Sequence, residues 1–337
     1  VEPEEPFRRL LHRIRVVFLG LSYKLSPVRR LLFLACLLFT LFGLLDWAPE
    51  LRAGGVVVVD ARPTWFLLAI GGLVFLFALE LVDQVRVRDE LEVARELQRD
   101  LLPARAPELD SWGIVHTYRT ANEIGGDYYD FFRLDDGRLI LTVGDASGHG
   151  LAAGLLMAIA NASLKLAIDL DPSPRAVLQL VNRALCRTSD RRAFLSLFYS
   201  ILDPDTGELV YAGAGHPYPM LRRRDGRIEE LGSGGFPLGI RPTLDAVEEH
   251  VRIEPGDRLL LFSDGLPEAV DAHDRAFGYE RIRALLRDAG NAVATEAALR
   301  TALDLHLGER ELEDDVSLVV VERAPAIPPP PPPPPPP

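Results

Sequence analysis

Two long apolar runs constrain this chain more than any other feature. Residues 31–47, LLFLACLLFTLFGLLDW, carry no charge before Asp46, and residues 65–82, WFLLAIGGLVFLFALELV, carry only Glu80. At 1.5 Å rise per residue each spans roughly 25 Å as a helix, enough for the hydrocarbon core of a bilayer. Both are apolar all round, and Trp47 and Trp65 stand where interfacial aromatics belong. The alternatives are two buried core helices, or a signal peptide for the first run. A cleaved signal fits poorly, because a second run follows at once and no small-residue cleavage site precedes it. The pattern predicts a membrane hairpin over residues 31–82 with a short external loop.

Basic residues orient that hairpin. Arg8, Arg9, Arg13, Arg15, Lys24, Arg29 and Arg30 precede the first run, and Arg86, Arg88, Arg95 and Arg99 follow the second. The connecting stretch holds only Arg52 and Arg62. An excess of Lys and Arg marks the cytoplasmic side. The expectation is a multi-pass protein of the cell membrane, with a basic cytoplasmic N-terminal segment (1–30) and everything after residue 82 also in the cytoplasm.

The next stretch, DQVRVRDELEVARELQRDLL over 83–102, reads as a charged helix stopped by Pro103. Val87, Leu91, Ala94 and Leu101 recur at three- and four-residue spacing, with Gln98 interrupting. Fewer than three clean heptads leave two readings open. The helix either packs on the following domain or pairs with a second copy as a short homodimeric coil. Either way, 83–104 is expected to be a linker with a regulatory role. At the other end, residues 324–337 run into ten prolines and are expected to be a disordered polyproline tail.

Residues 105–323 alternate strand-like and helix-like segments. GIVHTYRT, DYYDFFRL, RLILTVGDA, FLSLFYSILD, ELVYAGAG, DRLLLFSDG and DVSLVVVER read as strands, and 151–169, 174–187, 279–289 and 294–306 as helices. ILDPDTGELVYAG has hairpin turn chemistry at Asp205-Thr206-Gly207. Neighbouring hairpins favour antiparallel sheets flanked by helices over a parallel doubly wound sheet. The formal net charge of −12 argues against a nucleic-acid partner. Cys36 and Cys186 are the only cysteines, so neither a disulfide framework nor a cysteine zinc site is indicated.

Carboxylates at strand ends carry the chemical signal. Asp127 opens a strand after EIGG; Asp145 closes one and enters the glycines of VGDASGHG. Asp264 follows LLLFS, and Asp314 and Asp315 precede VSLVVV. A lone strand-end aspartate is usually a turn former. Several at one rim repel each other unless cations neutralise them. Oxygen ligands without His or Cys select Mg²⁺ or Mn²⁺ over zinc.

ELEVARELQRDLLP, NEIGGDYYDFF, VGDASGHG, AGAGHPYPML, FPLGI, FSDGLPEA and EDDVSLVVV occur in that order between about residues 90 and 323. Together they resemble the SpoIIE-type branch of the PPM metal-dependent serine/threonine protein phosphatases. The resemblance implies an α+β sandwich of two antiparallel β-sheets with helices outside. It implies that Asp127, Asp145, Asp264 and Asp314 bind two Mn²⁺ or Mg²⁺ ions. Asp145 would bridge them, the Ala146 backbone carbonyl would join in, and Asp315 is a further candidate. His149 lies near the position where the eukaryotic branch assists the leaving group, but at longer spacing, so shaping the loop is the other reading. Ser317 and Pro267 depart from commoner family residues without removing a ligand. The implied reaction is hydrolysis without a covalent enzyme intermediate, a metal-activated water attacking phosphorus in line with the serine or threonine oxygen. The implied partner is a phosphorylated anti-sigma factor antagonist in partner-switching control of transcription.

Two rivals stand beside this. Cys186 and Arg192 satisfy C-x5-R, the spacing of cysteine-dependent phosphatases. However, Cys186 falls in a helical pattern and no glycine lies between the two. The other rival is a catalytically silent membrane scaffold that binds regulators through a phosphatase-like domain; the intact aspartates speak against it.

Overall fold

The computed structural model describes residues 25–45, 50–53, 56–60, 62–121, 124–148, 150–188 and 193–325. The expectations on residues 1–24, Trp47, His149, Arg192 and the proline tail lie outside them. The chain divides into two compact units, residues 1–90 and 91–337.

In the first unit, helix α1 (Pro27–Leu44) leads to a two-stranded antiparallel hairpin, β1 (Glu50–Ala53) and β2 (Val56–Asp60). Helix α2 (Arg62–Leu101) then begins. The second apolar run and the charged stretch behind it are thus one helix, with no break at residue 82. The stretch expected as a plain loop holds the hairpin, because VVVVD is β-branched. Glu80, the one charge inside the second run, pairs with Arg29 at 3.1 Å, and the same guanidinium reaches Asp83 at 2.6 Å. Trp65 stacks on Phe39, ring centroids 5.6 Å apart.

By length and composition three helices could cross a membrane: Pro27–Leu44, Pro63–Arg86 and Leu151–Leu170. Of the first two windows 11% is buried, but of the third 44%. The apolar residues of the third serve a protein core, as the second unit shows.

That unit stacks two five-stranded sheets in which all neighbours are antiparallel. One has the order β10 (Glu249–Arg252), β7 (Glu208–Ala214), β6 (Leu195–Leu202), β5 (Leu139–Ala146), β4 (Asp127–Arg133). The other runs β3 (Trp112–Arg119), β12 (Val316–Arg323), β11 (Arg258–Phe262), β8 (Met220–Arg222), β9 (Ile228–Glu230). All seven strands and four helices read from the sequence are present. The short strands β8, β9 and β10 and the one-turn helix α5 (Gly265–Glu268) are additional. Three or four residues give too little alternation to read.

Alternation assigns the layers, since successive strand side chains face opposite ways. Tyr129, Leu141, Val143 and Phe198 from one sheet meet Leu259, Leu261, Val319 and Val321 from the other in the central core. Outward, Tyr128, Ile140, Leu197 and Tyr199 pack under helices α3 (Leu151–Leu170) and α4 (Pro174–Thr188). On the far side, Leu260, Phe262, Leu318 and Val320 pack under α6 (Tyr279–Asp288) and α7 (Ala292–Leu307).

Candidate metal centre

The site is the last rung of the central core. Tyr129, Val143 and Phe198 form one row across β4, β5 and β6. Two residues along, on the same face, the row is Asp127, Asp145 and Ser196. The opposite sheet makes the same change. Its inward residues Val319 and Leu261 give way to Ser317 and Ser263, with Tyr118 beside Ser317. Two sheets that exclude water along their length therefore end in facing polar rows. The apolar alternation of each strand fixes where these side chains must point.

Asp264 follows Ser263 at the start of α5, and Asp314 and Asp315 lead into β12. The carboxylates of Asp264, Asp314 and Asp315 all act on Asp145, whose pKa burial and these charges push up to about 8. Asp127 is 1% exposed. Its pKa is driven well above the usual range by burial, then by Asp145. Asp264 and Asp315 are also raised, chiefly by burial. Tyr118 is raised by burial and by Asp315 and Asp127. Without compensation, this cluster resists carrying its full negative charge.

The backbone is drawn into the same spot. The Gly126 carbonyl accepts the Ala146 N–H at 3.0 Å. A Cβ at Gly126 would lie 2.6 Å from the Ala146 carbonyl oxygen and 2.9 Å from Asp145 Oδ1, so only glycine permits this approach. The Ala146 carbonyl and the Asp145 carboxylate hence border one small space. Asp315 is differently employed. Its oxygens accept the N–H groups of Ala121 at 2.7 Å and Gly126 at 2.5 Å. Asp314 Oδ1 accepts the N–H of Asp315.

Among the described residues no three His, Cys, Asp or Glu side chains come close enough to enclose an ion alone. A Mg²⁺-type ion does not need that, being held by one or two carboxylates with water and other oxygens completing its shell. The fit rests on what is left over. Eight buried side-chain polar atoms lack a hydrogen-bond partner among the described residues. Five of them are Tyr118 OH, Asp127 Oδ2, Asp264 Oδ1, Ser317 Oγ and His216 Nε2. Buried polar atoms rarely stay unpaired in native proteins. Four of these five are oxygens, the donor type that hard divalent cations take.

Three residues here escaped the sequence reading. Gln98, which seemed only to interrupt the apolar spacing of the linker, is 5% exposed. Its amide donates to the Gly125 carbonyl at 2.6 Å and accepts the Gly125 N–H at 3.0 Å. The linker helix therefore holds the backbone two residues before Asp127. Ser196 pairs with His216, Oγ to Nδ1 2.9 Å, extending the polar row one strand further. His216 is pushed down to about 3 by burial. A glutamine among apolar positions and a histidine inside AGAGHPYPML were visible, but their partners lie 27 and 20 residues away. Cys186 sits near the end of α4, where its Sγ meets the Arg241 carbonyl at 3.3 Å.

Comparison with known proteins follows the same lines. The family described as Stage II sporulation protein E (SpoIIE) matches residues 135–324. The phosphoserine phosphatase RsbU of Bacillus subtilis is 28% identical over 247 residues, 71% of this chain and 72% of RsbU. Protein IcfG of Synechocystis is 27% identical over 278 residues; the match covers 74% of this chain but only 43% of IcfG. The SiaA-PP2C domain of Pseudomonas aeruginosa superposes with a TM-score of 0.62 at 26% identity, covering 72% of this chain and 98% of that domain.

Proposed function

The chain belongs to the SpoIIE family of PP2C-type serine/threonine phosphatases, and on that premise we propose a membrane-anchored, Mn²⁺- or Mg²⁺-dependent enzyme that dephosphorylates serine or threonine on a regulatory protein. PP2C-type phosphatases are metal-dependent. The regulatory protein is an anti-sigma factor antagonist in a partner-switching circuit, a reading supported by the likeness to RsbU.

One observation carries the catalytic part: the polar rung, whose buried carboxylates and orphaned oxygens lie where two water-excluding sheets end. In this reading Asp127, Asp145, Asp264, Asp314 and the Ala146 carbonyl would hold the cations. Asp315 holds the loop of Ala121 and Gly126 in place. The bound cations would supply charge neutralisation and a polarised water for in-line attack on phosphorus. The chain's own groups do the rest. The sheets fix the carboxylates without further ordering, and the apolar rungs behind them keep bulk water out, so each charge acts at low dielectric. Helices α1 and α2 provide the anchor, their apolar faces exposed in the first unit.

The test is hydrolysis by the full chain in detergent, with and without added Mn²⁺. Release of phosphate from p-nitrophenyl phosphate and from phosphorylated antagonist proteins of the same genome is expected only with the metal. Full turnover in excess chelator would end this reading, and metal-loaded protein with no turnover would revive the silent scaffold.

A further inference from the structure

The polar row does not stop at the carboxylates. Beyond Asp145 and Ser196 it reaches His216, and there a cleft of about 380 Å³ opens. Its walls are the segment after β7 (Gly215, His216, Tyr218) and the segment after β9 (Gly232–Gly235), with Tyr279 and Arg283 of α6 at the side. Four observations converge on it. Among the described residues none of the backbone N–H groups from Gly232 to Phe236 donates a hydrogen bond. Of the aromatic rings exposed among the described residues of the second unit, Tyr218 (39%) and Tyr279 (42%) line the cleft. His216, 6% exposed, lines the cleft with an unpartnered Nε2. Finally, β9 is the free edge of its sheet.

We propose that this cleft binds an extended segment of the phosphorylated protein, next in sequence to the phosphorylated residue. Unpaired main-chain donors beside a sheet edge suit the carbonyls of an extended peptide, and alternate side chains of such a peptide need pockets. Rigid aromatics at the mouth are the residue types that anchor protein contacts. Glycine makes the wall thin: a Cβ at Gly232 would strike the Tyr218 ring at 2.4 Å, so the backbone lies directly against that ring. Placement follows from strand geometry. His216 stands about two strand spacings, roughly 10 Å, from Asp145, and an extended chain covers about 3.3 Å per residue. The cleft therefore receives the side chain about three residues from the phosphorylated one.

This inference rests on the phosphatase reading, and its test separates the two. The full chain in detergent with Mn²⁺ is given p-nitrophenyl phosphate and, separately, a pool of phosphoserine nonapeptides randomised at every other position. Peptide consumption is read by position. The pool should show selection for an apolar residue about three positions from the phosphoserine. Tyr218→Ala and Tyr279→Ala should each lower the ratio of peptide to p-nitrophenyl phosphate kcat/KM at least tenfold and flatten that selection. Flat selection by the parent protein, or a ratio unmoved in both variants, overturns the cleft. Binding of the same fluorescently labelled pool is also measured with metal withheld, where no turnover is needed. Tyr-dependent binding without any hydrolysis in Mn²⁺ would sustain the cleft and refute the phosphatase reading.

Discussion

Removing the Gln98 side chain tests whether the linker helix is part of the active centre or a spacer. Its amide makes both hydrogen bonds of the Gly125 backbone, at 2.6 and 3.0 Å, in a buried setting. Gln98→Ala leaves a buried N–H and a buried C=O without partners, each costing about 1–3 kcal/mol. Relaxation that admits water to one of them brings the expected loss to about 2–4 kcal/mol. Gly125 is joined to Gly126, which Asp315 and Ala146 hold, and then to Asp127. The strain therefore falls on the loop that frames the carboxylates. If that loop must be seated before a cation binds, the same free energy weakens Mn²⁺ binding by about 1.4 to 3 decades, roughly thirtyfold to several hundredfold, at about 1.4 kcal/mol per decade. The assay is a Mn²⁺ titration of p-nitrophenyl phosphate hydrolysis, paired with denaturant unfolding. Leu97→Ala, on the same helix turn but exposed, is the control and should shift neither by more than about 0.5 kcal/mol. A fragment of residues 105–323 lacks Gln98 and should reproduce the metal defect. A Gln98→Ala titration superimposable on the parent's, with unchanged stability, would make the helix a passive spacer.

Further outcomes follow from the same rung. Asp145→Asn should reduce turnover by at least about three decades, about 4 kcal/mol of barrier, while the metal-free variant unfolds at a higher temperature than the parent. For the metal-free parent the pH dependence has a definite sign. Asp145 is raised to about 8 in the fold, so folding favours its protonated form and its penalty is absent below about pH 4. Between pH 4 and 8 that carboxyl removes up to about 1.4 kcal/mol of stability per pH unit, so Tm measured in chelator should fall across this window. Saturating Mn²⁺ should flatten the curve. Cys186→Ser should retain turnover, because the thiol meets the Arg241 carbonyl and Asn182 Oδ1, contacts a serine hydroxyl can also make; loss in a folded variant would reopen cysteine chemistry.

What the sequence disclosed, and what it hid, has a physical pattern. Strands such as RLILTVGDA and DVSLVVVER were readable because both faces are buried and their apolar runs end at carboxylates. The two-sheet sandwich followed from hairpin turns. Three things were hidden. Strands of three or four residues, such as Met220–Arg222 and Ile228–Glu230, carry no period. The continuity of Arg62–Leu101 was concealed by a change from apolar to charged residues, which alters the solvent of a helix and not its backbone. Gln98 read as a defect because periodicity counts apolar residues, and its function lies in a polar partner 27 residues away. The face shared by Asp127, Asp145 and Ser196 needed the register of three strands, which no single segment encodes.

Placing carboxylates on the final rung of an apolar ladder sets folding against chemistry. Every neighbouring rung gains from side chains like Val143 and Phe198; this one holds Asp127 and Asp145, which oppose folding whenever they are charged and uncompensated. An apolar pair there would extend the core by a layer and leave a sturdier protein with nothing to catalyse. Such a chain would be easier to fold in a cell starved of metal, whereas this one, with cations proposed at the rung, would gain stability from binding them. On the metal-dependent reading, metal availability would thereby set how much of the protein is folded as well as how fast it works.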